Sequence, residues 1–199
     1  MRIGIFGGSF NPPHLGHLHL AQAVRETLHL DEVWLVPSKI SPHRSMAAYA
    51  PEHDRLAMCR LAAEEFSWLR AEDYELRQEQ ISYTYYTVAH FTQERPQDEF
   101  FLLMGGDMLR SFRTWNRWEE ILQRVTVAAV AREDGEDVLL EREAEILRQY
   151  GRIEVVHVES FPVSSTKIRE MVKNSQDCSC YLPKKIVQYM KENHLYSRM

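Results

Sequence analysis

The sequence predicts an α/β fold in which a doubly wound parallel sheet has helices on both faces, with a small helical element at the C-terminus. Short apolar runs of strand length alternate with stretches of helical periodicity through most of the 199 residues, and this alternation is typical of parallel sheets. The run 100–104 is continuously apolar, which indicates a strand that is buried on both faces. A glycine-rich turn separates the first predicted strand from the first predicted helix.

The chain begins with a strand, a turn and a helix that follow one another directly. Residues 3–6 form a short apolar run, Gly7 and Gly8 allow a sharp turn, and the two prolines that follow stiffen the exit. A helix is predicted over 15–28, because apolar side chains recur there at helical spacing. They are Leu15, Leu18, Ala21, Val24 and Leu28. Unpaired N–H groups at such a helix start can bind a phosphate.

The remaining elements follow from the same patterns. Strands are predicted over 32–36, 69–76, 100–104, 125–131 and 153–158. Helices are predicted over 52–66, 82–95 and 139–150, and two more begin near Ser165 and Lys184. The buried side of helix 52–66 is expected to consist of Leu56, Cys59, Leu61 and Ala62. Residues 37–51 and the acidic run 133–137 are interpreted as loops, the second of them solvated.

The ligand site is expected at one edge of this sheet. In open parallel sheets, ligands bind beyond the carboxyl ends of the strands, at the point where the strand order reverses. His14, Lys39, Asp107 and Arg132 each follow a predicted strand. We therefore expect them at the same edge, in a Rossmann-like single domain that spans residues 1–199.

His14 and His17 are the first candidates for chemistry. Their spacing puts both on the first helical turn, at the mouth where a phosphate would bind. An imidazole can donate to a phosphate oxygen and share its developing charge. Two other interpretations remain open at this point. The pair could bind zinc, although no thiol or carboxylate stands nearby at zinc spacing, or it could simply cap the helix.

Two segments at opposite ends of the chain form a specific pattern. Residues 7–17 read Gly-Gly-Ser-Phe-Asn-Pro-Pro-His-Leu-Gly-His, and residues 162–169 read Pro-Val-Ser-Ser-Thr-Lys-Ile-Arg. Alone, the second segment is an ordinary capped helix start with added positive charge. Together they resemble the two signatures of the nucleotidyltransferase superfamily, which transfers a nucleotidyl group from a nucleoside triphosphate. The resemblance implies that the second segment holds the distal phosphates of the triphosphate.

Further segments resemble the bacterial nicotinate-nucleotide adenylyltransferases, so that the resemblance covers nearly the whole chain. Residues 36–44 are similar to that family's Pro-x-x-x-Pro-Pro-His-Lys loop, and residues 82–87 match its Ser-Tyr-Thr-x-x-Thr segment. Residues 105–115 are similar to its Gly-Ala/Ser-Asp…Trp element, and residues 181–196 to its closing helix and tail.

The chain departs from the family pattern at a few positions. Ser41 replaces a proline and Arg44 a lysine in the loop, and Gly106 stands where the family has alanine or serine. Residues 131–134 read Ala-Arg-Glu-Asp, whereas the family commonly shows Arg-Pro-Gly. The last difference bears on the position and role of Arg132.

The resemblance implies adenylyl transfer from ATP to nicotinate mononucleotide, which yields nicotinate adenine dinucleotide and pyrophosphate. It implies that His14 and His17 are catalytic and contact the α-phosphate. The further residues implied to bind ATP are Gly8, Ser9, Phe10, Gly105, Asp107, Ser165, Thr166 and Arg169. Residues from about 160 to 199 are expected to form the helical part that completes the ATP site. Mg²⁺ is expected to accompany ATP, and no metal ligand is assigned to the chain itself.

A second set of residues is implied to bind the acceptor. The set consists of Lys39, His43, Arg44, Thr84, Asp107, Trp115 and Arg132. Trp115 is expected to stack on the nicotinate ring, Thr84 to contact its carboxylate, and Asp107 to accept a hydrogen bond from a ribose hydroxyl. A core position remains an alternative for Trp115. A merely solvated basic loop remains one for Lys39, His43 and Arg44.

Composition narrows the class of partner. An apolar fraction of 44% and a charged fraction of 27% are typical of soluble globular proteins, and the formal charge of -5 disfavours nonspecific nucleic-acid binding. No membrane partner is expected, because no apolar run approaches the roughly 20 residues that a spanning helix needs. The N-terminus lacks a signal-peptide pattern. Of the three cysteines, Cys59 is expected in the core, and Cys178 and Cys180 lack the usual zinc or redox spacing. A cytoplasmic location is expected, and a homo-oligomer is left open.

Two other functions remain open on the sequence. The chain could transfer the adenylyl group to another acceptor, such as nicotinamide mononucleotide or phosphopantetheine, although pantetheine enzymes usually carry Thr in place of His14. It could also be a nucleotide-binding module without turnover. Pyrophosphate release with each acceptor distinguishes these functions.

Overall fold

In the computed structural model, which describes residues 1–39, 50–79, 83–131 and 136–197, six parallel strands form one sheet. The strands are β1 (Arg2–Gly8), β2 (Glu32–Pro37), β3 (Leu69–Ala71), β4 (Glu99–Gly105), β5 (Thr126–Ala131) and β6 (Ile153–His157). Their order in the sheet is β3-β2-β1-β4-β5-β6. The order reverses between β1 and β4, so the topological switch point lies between these two strands.

Helices connect the strands and complete the C-terminus. They are α1 (Leu15–Thr27), α2 (Glu52–Ala63), α3 (Tyr74–Arg77), α4 (Thr84–Glu94), α5 (Gly106–Ser111), α6 (Trp118–Arg124), α7 (Glu136–Leu147), α8 (Ser165–Lys173) and α9 (Lys184–Glu192). Short 3₁₀ turns cover Phe112–Thr114 and Ser179–Tyr181. Among the residues described, no helix has both the length and the apolar character that spanning a bilayer requires.

Alternate side chains of the central strands enter two hydrophobic clusters, one on each face of the sheet. In β4, Phe101 and Leu103 pack on one face, whereas Phe100, Leu102 and Met104 pack on the other. Helices α1, α2, α8 and α9 cover the first face, and α4, α5, α6 and α7 cover the second. Burial on both faces explains the continuous apolar run of β4. The predicted doubly wound α/β fold, with its C-terminal helical element, is confirmed.

The predicted strand 69–76 is wrong beyond Ala71, where β3 ends. Its last paired residue lies opposite Leu35 of β2, and the chain then turns into α3. Asp73 and Arg77 form an ion pair of 3.0 Å across four residues. That spacing stabilises a helical turn rather than a strand.

The interpretation of 133–137 as a solvated loop is wrong at its end, because Glu136 and Asp137 begin α7. A helix can begin with polar residues ahead of its apolar pattern, so the apolar residues from Leu139 onward do not mark its first residue. Residues 133–135 lie outside the described part of the chain. Helix α7 ends at Leu147 rather than near residue 150.

Gly151, in the turn between α7 and β6, lies so close to the backbone of Leu122 that there is no room for a side chain. A Cβ atom built there would lie 2.3 Å from the carbonyl oxygen of Leu122, whereas one built at Gly7 would meet nothing within 4 Å. We expect Gly151→Ala to lower the free energy of unfolding by about 1–3 kcal/mol, as overpacking does. Gly7→Ala is the matched control and should cause no such loss. Urea unfolding followed by tryptophan fluorescence measures both, and equal stability of the two variants would contradict the packing argument.

Candidate active site

The turn that follows β1 is shaped by an aromatic ring packed on a glycine. Phe10 has a left-handed backbone (φ 43) and is buried, with its ring 5.5 Å from the ring of Phe6. A Cβ atom built at Gly8 would lie 3.1 Å from the Phe10 ring. Gly8 therefore allows the ring to lie against the strand end, and this packing directs the chain towards α1.

His14 and His17 lie together at the start of α1. His14 is the N-terminal cap of the helix and is only 6% exposed, and the two ring centroids are 3.7 Å apart. The backbone N–H of His14 donates to Nδ1 of His17 at 3.2 Å. A ring that accepts through Nδ1 carries its proton on Nε2 when it is neutral. The pair thus contributes to the N-terminal cap of α1.

The zinc interpretation needs further ligands near the histidine pair. Within the described ranges, no group of three or more His, Cys, Asp or Glu side chains is arranged to hold a metal ion. The capping interpretation describes part of what the two histidines do. It does not conflict with a role in chemistry, because a residue at a helix N-terminus also lies where anions bind.

Gly16 lies between two side chains that leave little space for a Cβ atom. A Cβ atom there would lie 3.0 Å from Nδ1 of His14 and 3.0 Å from Cγ1 of Val163. Val163 belongs to the segment that leads into α8. The glycine of the His-x-Gly-His pattern therefore allows the His14 ring and the second signature segment to approach the same point of α1.

Helix α8 brings the second signature segment into direct contact with the first. The Ser165 hydroxyl donates to the carbonyl of Pro12 at 2.9 Å, and Nη1 of Arg169 donates to the carbonyl of Asn11 at 2.9 Å. Nη2 of Arg169 donates to the Thr166 hydroxyl at 3.2 Å. Two segments more than 150 residues apart in sequence thus form one site.

Arg55 is a residue of this site that the sequence analysis misses. It is fully buried on α2, and its Nη1 donates to the carbonyl of Ser9 at 2.8 Å. The buried side of α2 differs from the expected one: it consists of Asp54, Arg55, Met58, Cys59 and Ala62. An arginine three and four residues from buried Met58 and Cys59 is the signal that could have identified it.

Asp107 and Gly105 lie at the switch point. Gly105 ends β4 and precedes α5, and Asp107 is exposed in the first turn of that helix. The register pairs Phe6 with Leu103, so the carboxyl ends of β1 and β4 lie side by side. An exposed carboxylate at this position can accept hydrogen bonds from a ligand bound at the edge of the sheet.

The expected acceptor residues follow different strands along the same edge. Thr84 is the half-buried first residue of α4, and Trp115 is half-buried with its ring 5.3 Å from Phe112. Lys39 is half-buried after β2, and its ammonium donates to the carbonyl of Gln78. His43, Arg44 and Arg132 lie outside the described residues, as does Ser82.

A stack of Arg117 on Tyr85 connects the start of α4, where Thr84 lies, to the turn that contains Trp115. The guanidinium of Arg117 lies 4.0 Å from the centre of the Tyr85 ring, and Nη2 of Arg117 donates to Glu120 at 2.7 Å. Tyr85 follows Thr84 on α4, whereas Arg117 follows Trp115 closely in sequence. The stack therefore ties the α4 start to the turn before α6.

The cysteines do not contribute to this site. Cys59 is buried in the core, as predicted, and Cys178 is buried beneath α9. Burial raises the pKa of both thiols. Both therefore stay protonated, and the uncharged thiol is the weaker nucleophile.

Comparisons with known proteins identify the family of this chain. A family model described as cytidylyltransferase-like matches residues 5–171. A Bacillus cytotoxicus protein named probable nicotinate-nucleotide adenylyltransferase is 36% identical over 195 residues, which cover 98% of this chain and 98% of that protein. A Shewanella pealeana protein with the same name is 34% identical over 208 residues, which cover 98% of this chain and 96% of that protein. The chain belongs to the nicotinate-nucleotide adenylyltransferase family.

A solved structure shows that the fold is also that of an adenylyltransferase. The nicotinic acid mononucleotide adenylyltransferase of Plasmodium falciparum, complexed with NaAD, superposes with a TM-score of 0.79 at 17% identity. The match covers 98% of this chain and 97% of that chain. At this identity the likeness concerns the fold, and the resemblance to the adenylyltransferase family rests on the sequence relatives.

Removal of the Arg55 guanidinium tests how the turn after β1 is held. We expect Arg55→Met, which keeps much of the volume, to lower the free energy of unfolding by about 1–3 kcal/mol because the Ser9 carbonyl loses a charged donor. The matched control on the same helix is Arg60→Met. Arg60 is 60% exposed and pairs with Asp73 at 3.5 Å, so its loss should change stability by less than about 0.5 kcal/mol. Urea unfolding measures both, and a control as unstable as Arg55→Met would argue against the anchor.

Proposed function

We propose that this chain transfers the adenylyl group of ATP to nicotinate mononucleotide, giving nicotinate adenine dinucleotide and pyrophosphate. The observation that carries the proposal is the contact between the two signature segments, through Ser165 and Arg169, beside the His14–His17 pair. The named relatives, at 34% and 36% identity over nearly the full chain, support the same reaction.

In this proposal the whole chain acts as one nucleotidyltransferase domain, and residues from about 160 onwards complete the ATP site. ATP enters as its magnesium complex, so the cation arrives with the substrate. Mg²⁺ prefers oxygen ligands, which the phosphates themselves provide. We also propose a cytoplasmic location, where ATP is available to the enzyme.

Backbone N–H groups of the turn after β1 are proposed to bind the phosphates. Across a trans peptide unit, the N–H points opposite to the carbonyl. The Gly8 carbonyl accepts from the N–H of Ser38 at 2.8 Å, which directs the N–H of Ser9 away from β2. Likewise, the bond from Arg55 to the Ser9 carbonyl directs the N–H of Phe10 away from α2. Both donors are therefore held in orientation before a ligand arrives, and such preorganisation favours charge stabilisation.

The chemical step needs positioning and charge neutralisation more than a base. The phosphate of the mononucleotide is already an anion at neutral pH, and it attacks the α-phosphorus in line with the departing pyrophosphate. We assign His14 to the α-phosphate and its transition-state charge, with His17 supporting the same phosphate site. Thr166 and Arg169 are assigned to the β- and γ-phosphates. Ser165, whose hydroxyl bonds Pro12, is assigned to the same phosphate site.

The acceptor is proposed to lie towards α4 and the turn before α6. Trp115 is half-buried, so part of its ring remains accessible for stacking on the nicotinate ring. Thr84, at the start of α4, is assigned to the carboxylate. Asp107 is assigned to a ribose hydroxyl, and Lys39 together with His43, Arg44 and Arg132 to the acceptor phosphate.

The reaction itself is tested by pyrophosphate release with ATP and Mg²⁺ and three acceptors compared in parallel. We expect the highest kcat/KM with nicotinate mononucleotide, because the proposed pocket is built for a ring carboxylate. Preference for nicotinamide mononucleotide or phosphopantetheine would keep adenylyl transfer and reject the acceptor assignment. Absence of turnover with all three would favour a nucleotide-binding module.

The role of His14 is tested by His14→Ala. We expect kcat to fall by about a hundredfold to a thousandfold, as when one preorganised donor to a transition-state charge is removed. The matched control is His19→Ala, on the same helix, where the ring is exposed and bonds the Glu159 carbonyl at 3.0 Å. Its kcat should stay within a factor of two of the wild type. A His14→Ala protein that is folded and retains near-normal turnover would reject the assignment.

A further inference from the structure

The C-terminal tail returns to the turn after β1, a contact that the proposed reaction does not yet explain. After α9 ends at Glu192, residues 193–197 fold back, with left-handed backbones at His194 (φ 51) and Tyr196 (φ 63). Non-glycine residues rarely adopt this conformation. Leu195 between them is buried in the core and donates its N–H to the Met190 carbonyl at 2.9 Å. The tail is thus held in one strained path by its two anchors, Leu195 and Tyr196.

Tyr196 bonds the most buried polar residue of the turn. Its hydroxyl donates to Oδ1 of Asn11 at 2.7 Å, and Asn11 is fully buried. The same oxygen accepts the N–H of Ala50 at 2.9 Å, and the Asn11 carbonyl accepts Nη1 of Arg169 at 2.9 Å. Asn11 therefore joins the tail, the start of the α2 segment and helix α8 to the turn.

The phenol is suited to act as a permanent donor in this position. Burial raises the pKa of the Tyr196 hydroxyl, although Arg169 and Arg55 oppose the shift. The hydroxyl thus remains protonated at neutral pH. An amide oxygen with two donors is fixed in orientation, and rotation of the Asn11 side chain would break both bonds at once.

We propose that Tyr196 is a positioning residue for ATP: through Asn11, it holds the turn after β1 and Arg169 in the arrangement that receives the triphosphate. The proposal rests on the proposed function only for the identity of the nucleotide. In this proposal Tyr196 acts through its bond to Asn11. Loss of its hydroxyl should therefore weaken the use of ATP and leave the acceptor side unchanged.

The test is Tyr196→Phe, with Tyr189→Phe as the matched control. The Tyr189 hydroxyl donates to Oδ1 of Asp54, on α2, at 2.8 Å. Like Tyr196→Phe, this change removes one hydrogen bond between a C-terminal tyrosine and a buried side chain, but the partner is not in the turn after β1. We expect Tyr196→Phe to lower kcat/KM for ATP about tenfold, through KM, because one well-placed hydrogen bond is worth about that factor. KM for nicotinate mononucleotide should not change. Tyr189→Phe should lower thermal stability without changing either KM.

ATP titration calorimetry without acceptor separates this proposal from the proposed function. If the wild type releases no pyrophosphate but binds ATP, a tenfold weaker Kd in Tyr196→Phe still supports the positioning role. Unchanged ATP parameters in folded Tyr196→Phe would overturn it. So would equal losses in the two variants, because they would show a general stability effect. A wild type that neither turns over nor binds ATP would overturn both proposals.

Discussion

The site depends on the hydrogen bonds that side chains donate to the carbonyl groups of one short turn. The carbonyl groups of Ser9, Asn11 and Pro12 lie beyond the end of β1. A buried carbonyl without a hydrogen-bond donor costs free energy. Arg55, Arg169 and Ser165 satisfy these three groups, at 2.8 to 2.9 Å. The donors come from α2 and α8, which are far apart in sequence. The bond from Arg55 to the Ser9 carbonyl also orients the N–H of Phe10, which belongs to the same peptide. The Asn11 and Pro12 carbonyls precede prolines, which have no N–H, so their bonds position the turn only.

The two-sided sheet makes this arrangement available. The order of the strands places the ends of β1 and β4 next to each other. Helices on both faces of the sheet bury the side chains of these strands. Helix α8 covers the same face as α1 and α2, so its start reaches the turn after β1. The C-terminal part of the chain thus contacts the same turn as α2 does. The same topology places α8 on the face covered by α1 and α2 and puts the carboxyl ends of the strands at one edge, where ligands bind in such sheets.

Much of the fold could be predicted from the sequence, because its elements have local signatures. The continuous apolar run of β4 indicated burial on both faces. The glycines and prolines of 7–13 indicated the turn that leads from β1 into α1, and the phosphate site expected there stays a prediction. The errors have equally local causes. Beyond Ala71 the Asp73–Arg77 ion pair favours a helical turn over a strand. Helix α7 begins at Glu136, three residues before the apolar pattern at Leu139 from which it was predicted. Apolar periodicity alone detects neither an ion pair nor the polar residues that begin a helix.

The sequence by itself determined the order of the elements, the two signature segments and the family to which the chain belongs, since each depends on residues close together along the chain. Only the tertiary structure decided that Arg55 anchors the turn and that Tyr196 reaches Asn11. These contacts join residues 46 and 185 positions apart. Their partners are a backbone carbonyl and a single amide oxygen, which leave no periodic pattern in the sequence. The physical reason is that a buried polar group needs some donor nearby, but only the packing of the helices decides which one.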